Sequence, residues 1–303
     1  MLHKSVLLEE SIDYLNIKDD SIIVDCTLGY GGHSSEILKR IPNGHLYSFD
    51  QDSDAINYSK DRLSKISDNF TIINSNFVKI KEELNKFGVK KVDGILYDLG
   101  VSSPQLDIDE RGFSFHKDAR LDMRMNQKQG FSAFNVVNEY SEEELTNIIF
   151  KYGEEKFARR ISKAIVNSRP INTTLELVEI IKSAVPMKYK KDHHPARKTF
   201  QAIRIEVNNE LEVLKKSLID ALDLLNIDGR VCVITFHSLE DKICKEIFKS
   251  VSSVSENLKN LPIVPKEFEP KYKVVKIISP SDKELNTNNR ARSAKLRVIK
   301  RIG

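Results

Sequence analysis

Three aspartates close three short apolar runs, and this spacing is the chain's clearest sign of chemistry. Asp25 follows Ile22-Ile23-Val24, Asp50 follows Leu46 to Phe49, and Asp98 follows Gly94 to Tyr97. In open parallel sheets, ligands bind beyond the carboxyl ends of the strands. Three acids at strand tips therefore point to a ligand more than to three separate helix caps. Asp25 leads into Cys26-Thr27-Leu28-Gly29-Tyr30-Gly31-Gly32-His33, and Ser34 to Arg40 then reads as the start of a helix. Glycines let the backbone pass close to a ligand, and a helix start offers unpaired N–H groups. A carboxylate at Asp25 suits the cationic aminoacyl end of S-adenosylmethionine and would repel a pyrophosphate. Asp50 lies about 20 residues beyond the glycines, where a carboxylate accepts hydrogen bonds from ribose hydroxyls. Phe77 follows a further apolar run, Phe70 to Ile73, and lies either against an adenine ring or in the core.

Two further segments carry polar groups. Asp98-Leu99-Gly100-Val101-Ser102-Ser103-Pro104-Gln105 places a carboxylate, hydroxyls and an amide just beyond a strand, where an acceptor group would sit. Asp98, Ser102 and Ser103 are catalytic candidates. Phe236-His237-Ser238-Leu239-Glu240-Asp241 ends another apolar run. Ser238 reads as a helix cap with Asp241 three residues on. His237 is not needed for that cap, so it either faces the pocket as a catalytic candidate or serves as a hydrogen-bonded structural residue. Basic residues gather at Lys188, Lys190, Lys191, Arg197, Lys198 and Arg204, with Tyr189 and Phe200 between them, and again at Arg290 and Arg292. Such clusters suit RNA phosphates when they are not simply solvated helix faces. His193-His194 lack the i, i+4 spacing of a metal pair, so no metal site is expected.

The elements that must position these groups alternate. Strand-like runs at 22–26, 46–49, 70–73 and 94–97 are separated by helical patterns, as in a parallel α/β sheet. From about Asp107 to Asn208 strand character stops. Helices are expected from a capping box at Ser141 through Phe150, from Glu154 to Arg169, from Thr174 to Val185, and from Lys198 to Asn226. Strands resume at 231–236, 272–278 and 295–300. The simplest parse is a sheet domain of residues 1–108 and 207–303, interrupted by an all-helical insertion at 109–206 that would hold the substrate. The net charge of +4, from 48 Lys+Arg against 44 Asp+Glu, is too mild to establish nucleic-acid binding by itself. Cys26, Cys232 and Cys244 are scattered and read as buried thiols, which fits a reducing cytoplasm. No signal peptide or membrane span is expected.

Taken together, these segments resemble the bacterial small-subunit ribosomal RNA cytosine-N4 methyltransferases of the MraW family. The likeness runs through His3 to Leu8, Asp25 to Ser34, Asp98 to Gln105, Arg111 to Phe115, Leu121 to Met125, Thr199 to Ile205, Phe236 to Asp241 and Asn289 to Arg297. It implies a class I S-adenosylmethionine-dependent, Rossmann-like sheet with a helical insertion. The cofactor would lie against Gly31, Gly32, His33, Asp50, Phe77, Asp98 and Gln105, beside the Asp25 and Gly29 read above. The implied substrate is a cytidine of 16S ribosomal RNA, in the decoding region of the small subunit, and a homodimer is compatible. The usual amino-methyltransferase motif, an acid or Asn followed by two prolines and an aromatic, is replaced by the Asp98–Gln105 loop, so no catalytic base transfers by motif. Two rivals predict other features. A nicotinamide oxidoreductase needs pyrophosphate at the glycines, and a catalytically silent RNA-binding assembly factor needs no acids at strand tips.

Overall fold

The computed structural model describes residues 5–102, 105, 108–192, 194–254, 265 and 268–303. These form two compact units, one of Met1–Gly100 with Leu211–Gly303 and one of Val101–Glu210. The division falls a few residues outside the boundaries read from the sequence, next to the end of one strand and at the break between two helices.

The first unit is a seven-stranded sheet. Its strands are β1 (Ile22–Asp25), β2 (His45–Asp50), β3 (Phe70–Asn74), β4 (Val92–Asp98), β5 (Leu225–Thr235), β6 (Tyr272–Ile278) and β7 (Lys295–Arg301), in the order β3-β2-β1-β4-β5-β7-β6. β1 to β5 are parallel neighbours, and β7 runs antiparallel to both β5 and β6. This is a doubly wound, mostly parallel sheet, as the sequence led one to expect. The strands read as continuous apolar runs because both faces are covered. Ile95 and Tyr97 of β4 pack into one buried cluster with Val231, Val233 and Leu218. Leu96, Cys232 and Ile234 point the other way, into a cluster with Ile37, Leu296 and Val298. The order changes direction at β1 and β4, which places Asp25 and Asp98 at the switch point.

The second unit is helical, with main helices Ala133–Glu139, Glu142–Gly153, Ala158–Asn167, Thr174–Ala184 and Ala196–Asn208. Ser141 and Glu144 form the expected capping box. Val137, Leu145, Ile149, Ile161, Val178 and Ile203 interlock in its core. Two expected helices are shorter than their periodicity suggested. Glu154 adopts a left-handed conformation (φ 49°) that ends the helix from Glu142, so the next begins only at Ala158. Asn209 does the same (φ 49°), so the run from Lys198 splits into helices Ala196–Asn208 and Glu210–Leu224. Asn accepts this conformation more readily than most residues. β5 then starts at Leu225, earlier than the apolar run indicated.

Candidate active site

The three strand-tip acids take different roles, which their partners decide. Asp25 is buried, and its carboxylate accepts from Thr27 N–H at 3.0 Å and from Ser34 Oγ–H at 2.7 Å. Burial raises its pKa, against those hydrogen bonds. Both Asp25 oxygens are engaged inside the fold, where they brace the turn. Thr27 continues the brace, because its Oγ1 accepts from the Asp98 backbone N–H at 2.7 Å. Thr27 and Ser34 were not singled out from the sequence. Their only signal is a hydroxyl two and nine residues beyond the acid.

Asp50 reaches from the tip of β2 across to the glycine turn. Its Oδ2 accepts from Gly29 N–H and its Oδ1 from Asp52 N–H, both at 2.9 Å. Burial pushes its pKa up to about 6. Gly29 and Gly31 both carry positive φ, 49° and 71°, which glycine adopts without strain. Gly32 is fixed by space: a Cβ there would lie 1.9 Å from Ser5 Oγ. Ser59, on the helix Ser53–Leu63, donates to Gly29 O at 2.7 Å and pins the turn from outside.

Asp98 differs from the other two. Its Oδ1 is buried without a hydrogen-bond partner, while Oδ2 lies 3.5 Å from His33 Nδ1. Burial, then the nearby Asp25 and Glu240 carboxylates, push its pKa up to about 8. Among the described residues that Oδ1 is the only buried carboxylate oxygen without a hydrogen-bond partner. A buried acceptor with no donor is costly, and a positively charged or N–H-bearing ligand would satisfy it. The His33 ring is buried, with Nε2 3.2 Å from the Val6 carbonyl. A carbonyl only accepts, so Nε2 donates to it, and Nδ1 faces Asp98. The His33 ring is thus held between Val6 and Asp98, at the start of the helix after the glycine turn. Phe77 opens a short turn after β3, half-buried, with its ring edge-on to Tyr97 at 5.5 Å.

His237 is also reassigned. It is itself the N-cap of the helix Ser238–Ser252, with Glu240 as the third residue of a capping box. Its Nε2 lies 3.1 Å from Glu240 Oε1, and Glu240 accepts from Phe236 N–H at 2.7 Å. The cap expected at Ser238 and Asp241 is therefore displaced by one residue, and Asp241 instead binds Arg297 through Nε at 2.7 Å.

In the second unit, Gln105 is buried and its Oε1 accepts from Ser102 N–H at 3.1 Å. Ser103 lies outside the described residues. Arg204 forms a two-pronged pair with Glu210 at 2.9 and 2.8 Å, so its guanidinium is spent inside the protein. Lys188 and Arg197 are exposed, and Lys198 Nζ donates to Glu154 O at 2.7 Å. Lys190 and Lys191 belong to the helix Met187–Asp192, with side chains outside the described set. Arg290 and Arg292 are exposed on a short turn, Asn289–Ser293, of the first unit.

Comparison with known proteins agrees with this architecture. A family model described as the MraW methylase family matches residues 1–302. Ribosomal RNA small subunit methyltransferase H of Exiguobacterium sibiricum is 55% identical, covering 99% of this chain and 98% of that protein. The same-named protein of Mycoplasma mycoides is 56% identical, covering 99% of each. That of Finegoldia magna is 53% identical, covering 99% and 98%.

Proposed function

We propose, because this chain belongs to the MraW methylase family, that it methylates the N4 amine of a cytidine in 16S ribosomal RNA, in the decoding region of the small subunit. S-adenosylmethionine is the methyl donor and supplies an already activated methyl group. The observation that carries this reading is Asp98: a carboxyl at the sheet's switch point with a buried oxygen awaiting a donor. Asp50 and the glycine turn are assigned to the ribose and backbone-facing side of the cofactor, and Phe77 to its adenine.

The cytosine amine is a poor nucleophile, because its lone pair is delocalised into the ring. The cofactor, held by the glycine turn, Asp50 and Phe77, would supply the methyl group to that nitrogen, and the proton the nitrogen gives up would pass to the ionised Asp98 carboxylate. Catalysis is mostly alignment of the two reactants. An acceptor for the amine hydrogens favours the pyramidal nitrogen as charge develops. Asp98 is the group assigned to that work, since nearby positive charge favours its ionised form. Ser102 and Ser103 follow it in the loop as hydroxyl candidates. All three thiols are buried, Cys26 just past β1, Cys232 within β5 and Cys244 on the helix Ser238–Ser252, and burial pushes each thiol up. A covalent route to cytosine C5 needs an accessible thiolate, so amine methylation fits these residues better. The base enters unpaired or extruded from its helix, and the helical unit is assigned to the surrounding RNA.

The test is labelled methyl transfer to undermethylated small subunits, alongside calorimetry of cofactor binding. Transfer and cofactor binding by the wild type, both reduced in Asp98→Asn, support the reading. Tight NADH binding, or RNA binding without any transfer, would replace it with one of the two rivals.

A further inference from the structure

We infer that the corner between the helices Glu142–Gly153 and Ala158–Asn167 is a prebuilt docking surface for the phosphodiester backbone of the RNA substrate. The inference rests on the reading that the substrate is RNA, and it concerns residues that the basic stretch at 188–204 does not include. Between Lys151 and Lys163 the sequence carries five cations and two acids. One of those acids, Glu155, is fully buried, and it is the keystone of the corner. Its Oε1 accepts from Phe157 N–H at 2.9 Å and its Oε2 from the Tyr189 hydroxyl at 2.5 Å. Phe157 and Tyr189 are thereby locked edge to face, with ring centres 5.0 Å apart. Lys156 Nζ sits 5.2 Å from the centre of Phe157 and 5.3 Å from that of Tyr189, and the Arg160 guanidinium lies 6.0 Å from Phe157.

Rings hold cations in place by their quadrupole, without neutralising them as a carboxylate does. Lys156, Arg159, Arg160 and Lys163 are all exposed, and among the described residues none is seen in an ion pair. Their three- and four-residue spacing gathers them on one side of the helix start, where like charges repel. An ordinary solvated face mixes both signs. A face that gathers four cations and fixes two of them over aromatic rings matches a polyanion whose charges repeat along a chain. Lys198, donating to Glu154 O, and Gln201, donating to Tyr152 O at 3.0 Å, join the corner to the helix Ala196–Asn208. The surface therefore continues toward Lys188 and Arg197.

The experiment uses the full chain and an unmodified full-length small-subunit ribosomal RNA transcript, with affinity measured from about 50 to 200 mM salt. The variant carries Lys156→Gln, Arg159→Gln, Arg160→Gln and Lys163→Gln. It should bind RNA at least tenfold more weakly at low salt, and its salt slope should flatten by roughly one unit for each phosphate it no longer neutralises. Its cofactor affinity, measured on the same preparation, should equal that of the wild type, which also shows that it is folded. Tyr189→Leu, which removes a ring from under Lys156, should lose part of the same slope, and Tyr189→Phe should lose less. An unchanged slope in the fourfold variant overturns the assignment while leaving the methyltransferase reading intact. Normal RNA affinity with weakened binding only to assembled subunits also overturns it, in favour of an acidic protein partner. A wild type that neither binds nor methylates the RNA removes both readings together.

Discussion

Asp98 holds the unusual position in this molecule because of what surrounds it. Burial and two carboxylate neighbours raise its pKa to about 8, so at neutral pH the free protein carries it protonated. A bound cation reverses that preference, and cofactor binding below pH 8 should release a proton. Affinity should therefore rise with pH up to about 8 and then level off, whereas Asp98→Asn should bind weakly with no such slope. Calorimetry in buffers of different ionisation heat reads the released proton directly, and equal slopes in both proteins would contradict the assignment. The same shift affects stability. A carboxyl whose folded pKa is raised binds its proton more tightly when folded. Its contribution is full below the unfolded value near 3.8 and is lost as pH rises through about 8. Asp98→Asn should thus be as stable as the wild type near pH 4 and more stable at pH 9, by an amount of order a few kcal/mol. Asp50→Ala should weaken cofactor binding at least tenfold, since each charged hydrogen bond to a ribose hydroxyl is worth about 1.5–3 kcal/mol. The acids were legible because they end apolar runs. Their individual roles were not, because a contact such as His33 with Asp98 is a matter of how β1 and β4 lie side by side.

The glycine turn and the cap after β5 show how far local pattern carries. Gly32 looked like one glycine among three, yet a methyl group there would collide with Ser5 Oγ. Gly32→Ala should lower both thermal stability and cofactor affinity. Adding Ser5→Ala, which removes the clashing hydroxyl, should restore part of each; no recovery would show that the backbone, not the space, requires glycine. At the other site, Ser-x-x-Asp and His-x-x-Glu overlap by one residue, and only the strand's exit direction decides which caps the helix. His237→Ala should therefore cost about 1 kcal/mol in denaturant unfolding and leave methyl transfer largely intact. Impaired transfer at unchanged stability would return His237 to the catalytic set. The break at Asn209 was hidden for a related reason: hydrophobic periodicity continues across one left-handed residue without a visible gap. The Lys156–Lys163 surface was missed because its aromatic partner Tyr189 comes from a distant helix.

For the whole molecule, the alternation of apolar runs and helical patterns was enough to give a parallel sheet with an inserted helical segment. The antiparallel placing of β7 between β5 and β6 was not readable, because strand order depends on pairings far apart in sequence. No described helix is long and apolar enough to cross a membrane. The central claim is chemical, that the chain methylates an exocyclic amine without a covalent enzyme–base bond. The burial of Cys26, Cys232 and Cys244 makes it testable in one preparation. A variant with Cys26→Ala, Cys232→Val and Cys244→Ala, confirmed as folded by its unfolding transition, is incubated with S-adenosylmethionine and undermethylated small subunits beside the wild type. The RNA is then digested to nucleosides and read by mass spectrometry against standards. Both proteins should yield N4-methylcytidine; 5-methylcytidine, or a protein–RNA adduct trapped by the wild type and absent from the variant, would contradict the account.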